Sequence, residues 1–152
     1  MWTSLIAVIG TLAGALLSGL LQHRAVHTER VDARQEALRR DQLDAVTALA
    51  VAVSDHRRTM WESRRAMLAG ADAARVQELR EAAHETRSAI TDPAVRVRLL
   101  IRDADTRAAA EEAALATYRM RDAADIDELT ALRSEALTAH DAFVSTAGTA
   151  LV

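Results

Sequence analysis

The chain has 152 residues, half of them apolar but only 3% aromatic, with 19 basic against 22 acidic side chains and a net charge of −3. That length suits one domain with an appendage, and the lack of Cys excludes a disulfide framework and a thiolate zinc site. The net charge supplies no global attraction to nucleic acid, while one Pro and five Gly amid abundant Ala, Leu and Val favour long helices with few turns.

From Met1 to Leu21 no side chain is charged. As a helix this run would rise about 30 Å, the thickness of a bilayer's hydrocarbon core. Trp2 suits a headgroup level at one end, and His23 and Arg24 can reach lipid phosphates at the other. Ala13-Gly14-Ala15 resembles a signal-peptide cleavage site. No basic region precedes it, however, and cleavage would strand Leu16, Leu17, Leu20 and Leu21, so a retained transmembrane anchor over 1–22 is expected. Arg24, Arg30, Arg34, Arg39 and Arg40 follow the span, which places the N-terminus outside and the body in the cytoplasm, at the cell (inner) membrane. Gly10, Gly14 and Ser18 recur at a spacing of four, as do Thr11, Ala15 and Gly19. These adjoining small ridges offer a face for a second membrane helix, from a protein partner or another copy of the chain.

Residues 23–42 are charged nearly all round and read as a helical stalk, solvated or lying on a surface, with Glu36 and Arg40 as one i,i+4 pair. The helical body is expected over 43–147, with a frayed tail at 148–152. Val46, Leu49, Val53, Met60 and Met67 form an apolar stripe, with Trp61 and Leu68 beside it and His56 and Ser63 as interruptions. Gly70 ends that helix and Asp72 caps the next, whose seam is Val76, Leu79, Ala83, Thr86 and Ile90. Asp92-Pro93 stops it. Val95, Val97, Leu99 and Ile101 alternate with polar residues as a strand would, but no second strand exists to pair with them. Residues 94–101 are therefore expected as a short helix or an extended connector. A third helix fits 104–121 with Ala108, Leu115 and Tyr118 inward. A fourth begins at the capping pattern Asp125-x-x-Glu128, with Leu129, Leu132, Ala136, Phe143 and Val144 buried. The expected fold is all-α: the transmembrane helix continuing into a long helix, then an antiparallel helical bundle.

Chemistry-bearing patterns are sparse. His23 and His27 share a helix face but lack an obvious third ligand beyond Glu29, so a polar contact at the membrane surface is preferred and no metal is expected. No nucleophile elbow, phosphate-binding glycine loop or H-E-x-x-H occurs, so neither an enzyme nor a cofactor is expected. In "RRTMWESRR" at 57–65, Arg57 and Arg64, like Arg58 and Arg65, lie seven apart and flank Trp61. The cluster suits an anionic partner; the plainer account, a bundle helix with Trp61 inside and Arg at its margins, is preferred because acids are mixed in nearby. Nucleic acid is not expected as a partner.

The span "AVIGTLAGALLSGLLQHR", the Arg/Glu stalk and the segment "HRRTMW" resemble small single-span membrane proteins of high-GC actinobacteria, carried on chromosomes or plasmids. The all-Arg, Ala-rich composition looks like the coding bias of such genomes. The resemblance implies no activity and transfers no functional residue. Three functions are expected in order: a membrane-anchored, non-enzymatic scaffold presenting its bundle to a cytoplasmic protein partner; a membrane accessory of a mobile element, acting in plasmid transfer or spread; and a membrane-linked sensor or regulator.

Overall fold

A computed structural model describes the backbone of residues 2–151 and the side-chain surroundings of residues 30–151. The chain divides into two units, Met1–Arg39 and Arg40–Val152. All described elements are helical: α1 (Trp2–Leu68), α2 (Ala73–Ala89), α3 (Thr91–Leu100), α4 (Ala104–Arg119), a 3-10 turn (Met120–Asp122) and α5 (Ile126–Ala150).

The expected membrane architecture requires correction. Among the described residues no helix is long and apolar enough to cross a membrane. A span needs about 20 predominantly apolar residues. The described part of α1 instead carries a charge every few positions from Arg30 to Asp44, and residues 30–39 are exposed all round. The transmembrane helix in the expected fold, the single-pass placement at the cell membrane and the cytoplasmic orientation of the body are withdrawn on this finding. The run 1–22, its ridges Gly10, Gly14, Ser18 and Thr11, Ala15, Gly19, and the His23–His27 pair lie outside the residues whose side chains are described.

Within the second unit, the joints follow from local chemistry. Gly70 takes φ +70°, which an L side chain rarely adopts. Its N–H donates to Met67 O at 3.1 Å and that of Ala71 to Ala66 O at 3.0 Å, the paired bonds that satisfy the last carbonyls of a helix. Asp72 accepts from Arg75 N at 3.0 Å and opens α2. Asp103 caps α4, accepting from both the N–H and the hydroxyl of Thr106. At α5, Asp125 accepts from Glu128 N at 2.8 Å, while the Glu128 carboxylate accepts from Ala124 N at 2.6 Å, one residue before the cap itself.

The arms run antiparallel. Along α1, Ala50, Trp61 and Arg64 meet His140, Arg133 and Ala123 in turn, so α5 descends as α1 rises. Likewise His56 meets Thr86, and Met67 meets Arg80 further along. Gln42 donates to Leu100 O at 2.8 Å, so α2 and α3 form one descending arm beside α1. That arm bends at Ile90, where Pro93 lacks the N–H a continuous helix would use.

Segment 94–101 is thus helical through Leu100. Its buried positions, Val97 and Ile101, continue from Ile90 and Pro93 at spacings of three and four. The strand-like alternation is incidental, since Val95 and Leu99 face solvent. Two core clusters result. One joins Ala45, Leu49 and Val53 of α1 to Val97, Ala110, Ala113, Phe143 and Ala147. The other joins Ala116, Met120, Leu129 and Ala136, with Met60 and Trp61 packed against it. Each large side chain so buried contributes about 1.5–3 kcal/mol.

The inward face of α4 differs from expectation: Ala108 and Leu115 are exposed, Tyr118 packs against the core only in part, and the helix buries Thr106, Ala110, Ala113, Ala116 and Thr117 instead. Helix α5 buries Leu129, Ala136 and Phe143 as expected, with Leu132 half-buried and, of the expected set, only Val144 exposed. His56 and Ser63 do not interrupt the α1 stripe; both are buried within it, at 1% and 5% exposure.

Candidate functional site

An open furrow lies between the α2–α3 arm and α4, with α1 as its floor. Tyr118 divides it. Arg87 of α2 stacks over the Tyr118 ring, its guanidinium carbon 4.5 Å from the centroid. Below, His56 meets the same ring edge-on at 5.5 Å. The His56 Nδ1 lies 3.0 Å from the Thr86 hydroxyl, which also lies 2.8 Å from the Thr59 hydroxyl and 3.1 Å from Ala82 O. The Thr59 hydroxyl is also within donating reach of Asp55 O and His56 O, and that of Thr86 of Ala83 O, so each hydroxyl of the knot has a carbonyl acceptor as well as its neighbour. Burial, reinforced by the Arg87 charge, pushes the His56 pKa from its ordinary 6.5 down to about 4, so the imidazole is neutral near pH 7.

On one side of Tyr118 are two adjoining clefts. The first, of about 180 Å³, is walled by Arg80, His84 and Arg87 of α2 and by Arg121 of the 3-10 turn. The second, of about 160 Å³, shares Met60, Arg80, Ala83 and Arg121 with it and adds Ser63, Arg64 and Met67. No lining residue of either is acidic. On the other side of Tyr118 lies an apolar groove of about 590 Å³, lined by Leu49, Ile90, Val97 and the alanines of α4, and edged by Arg98, Arg107 and Glu111. Val95 and Leu115, 47% and 43% exposed, stand along it.

The four arginines singled out from sequence do different things. Arg58 and Arg65 face solvent, and Arg58 pairs with Asp55 on its own helix. Arg64 is half-buried; its Nε donates to Ala123 O at 2.8 Å, its Nη2 donates to the same carbonyl, and its Nη1 reaches Met67 Sδ. It thereby straps α1 to the joint before α5. Arg57 donates to Ser54 Oγ at 3.1 Å, while its Nη1 is buried without a hydrogen-bond partner. Desolvation, then the facing Arg133, holds its pKa below the ordinary value. The structure therefore does not gather Arg57, Arg58, Arg64 and Arg65 into one surface. Trp61 sits against the second core cluster with Arg133 over its ring, 5.0 Å from the centroid.

Sequence reasoning missed Arg80, Arg87 and Arg121. The spacing of Arg80 and Arg87, seven apart on one helix, was available; Arg121 joins them only through the turn after α4. Among the described residues no group of three or more His, Asp or Glu side chains is placed to hold a metal ion.

Fold and site define a small helical bundle whose open furrow is half cationic and half apolar. The chain belongs to the KilB plasmid transfer protein family, which it matches over residues 43–151. It is 46% identical to Protein KilB of Streptomyces lividans over 147 residues, covering 97% of this chain and 96% of that protein. No solved structure matches it. The Streptomyces relative accords with the actinobacterial side of the resemblance noted from sequence; its single-span side is unsupported.

Proposed function

We propose that this chain serves plasmid transfer as a non-enzymatic helical body that engages a protein partner. The observation that carries this is the 46% identity to Protein KilB across nearly the full length of both chains. Such coverage makes the mobile-element role, ranked second from sequence, the better supported one. The apolar groove supports a protein as the partner. Val95 and Leu115 expose large apolar side chains along it, and such surface favours association. The occupant that fits is an amphipathic helix with acidic residues flanking its apolar face, opposite Arg98 and Arg107.

A mating assay with a plasmid on which this chain is the sole member of the family tests the proposal. Leu115→Asp leaves the core untouched, because Leu115 is 43% exposed, and places a charge in the groove; it should lower transfer frequency at least tenfold. The double variant Arg58→Ala, Arg65→Ala should transfer normally. Normal transfer by Leu115→Asp with loss in the arginine variant would discard the groove in favour of an anionic contact. Normal transfer with the chain deleted would remove the role itself.

A further inference from the structure

We propose that the twin clefts beside Tyr118 form a binding site for a small phosphorylated anion, one carrying two phosphoryl groups. Arg64, Arg80, Arg87 and Arg121 converge on the two clefts from three separate elements, with His84 at the rim. Their convergence is not a by-product of a basic chain, since the protein as a whole is acidic at −3. Clefts whose charged lining residues are all cations concentrate positive potential between low-dielectric walls. A guanidinium presents a planar fork of donors that matches phosphate oxygens, and several forks call for more than one negative charge.

The side chains present are accounted for in ways that leave this charge available. Arg121 contacts Asp122 through Nε at 3.1 Å, yet Asp122 lines neither cleft. Arg80 contacts only a soft acceptor, Met67 Sδ at 3.8 Å, in the second cleft. Arg64 spends its Nε and Nη2 on Ala123 O and its Nη1 on Met67 Sδ, so it contributes charge to the second cleft while Arg80, Arg87 and Arg121 supply the forks. His56 beneath is hydrogen-bonded within the knot and brings no negative charge into the first cleft. The two volumes of about 180 and 160 Å³, sharing Arg80 and Arg121, each admit one phosphoryl group, with the shared arginines placed to contact both. The position is independent of the apolar groove, from which Tyr118 and Arg87 separate it.

Tyr118 provides the probe, because it is the only tyrosine in the chain. With its ring ¹³C-labelled in the full-length protein, pyrophosphate is titrated at constant ionic strength in chloride. A saturable shift of the single ring signal is expected, as Arg87 turns from the ring toward the anion. Arg80→Gln with Arg121→Gln should weaken the affinity at least tenfold. Arg75→Gln, on the same helix but paired with Glu78 outside the clefts, should leave it unchanged. Both variants alter exposed side chains and should remain folded, which circular dichroism checks. A shift that grows linearly without saturating, or equal affinity in both variants, would overturn the proposal. So would a short DNA duplex displacing pyrophosphate with equal or greater affinity, since the site would then read a nucleic-acid backbone.

Discussion

At His56, a position that looks like a blemish in the sequence is a structural keystone. A polar residue in an apolar stripe reads as an interruption, because one-dimensional patterning cannot show that Thr59 and Thr86 stand ready to satisfy it. The pH behaviour follows. An unfolded imidazole takes its proton near pH 6.5, whereas the buried one resists until about pH 4. The unfolded chain therefore binds the extra proton between those values. Stability from this residue is complete above about pH 6.5 and drains away as the pH falls, by about 3 kcal/mol over the whole interval. Urea unfolding at pH 7.5, 6.0 and 5.0 should show the midpoint dropping at each step, and His56→Gln should flatten most of that drop. An unchanged slope in the variant would mean that other groups carry it. Arg57 teaches the converse: prominent in a basic run, it is half-buried beside a like charge.

At the scale of elements, the punctuation of the chain was readable and the helix phases were less so. Gly70, Asp72, Pro93 and Asp125 act where their chemistry says they should, since capping and turn geometry depend on a few neighbouring residues. The phase of α4 differs because seven of its sixteen residues are alanine, spread over every face, and a lone Leu115 pulls the apparent apolar face toward itself. The structure turns the small residues inward, where α5 approaches closely, and leaves Leu115 outside. Ala113→Leu is therefore expected to cost about 1–3 kcal/mol by overpacking. Ala108→Leu, on the exposed side, should fall within about 0.5 kcal/mol of the parent in thermal unfolding. The reverse order would restore the sequence-based phase. The cationic furrow was hidden for a different reason. Its arginines come from α1, α2 and the 3-10 turn, and only tertiary packing brings them together.

For the whole molecule, both core clusters lie within the second unit, and their hydrogen-bond straps begin at Gln42. A fragment of residues 40–152 should therefore unfold cooperatively by itself and stay monomeric at micromolar concentration, as circular dichroism and analytical ultracentrifugation would show. Broad, non-cooperative melting would mean that the first unit or a second copy completes the core. The all-helical bundle was legible as a whole because Ala, Leu and Arg favour helices at almost every position. The membrane helix was the expectation that failed, on the finding that no described helix is apolar enough over sufficient length.

The alanine face between α4 and α5 has one more consequence. Ala110, Ala113 and Ala116 meet Ala136 and Ala147 over a surface that is nearly smooth. Identical methyl groups spaced evenly along two rods do not say which rung belongs opposite which. Three bulky side chains break that degeneracy: Phe143 clustered with Ala110 and Ala113, and Met120 and Leu129 clustered with Ala116, all with no exposed surface. They work like dowels in a planed joint. Slide one helix by a turn and all three lose their sockets together, so a few large residues hold an alignment to which the alanine methyls are indifferent.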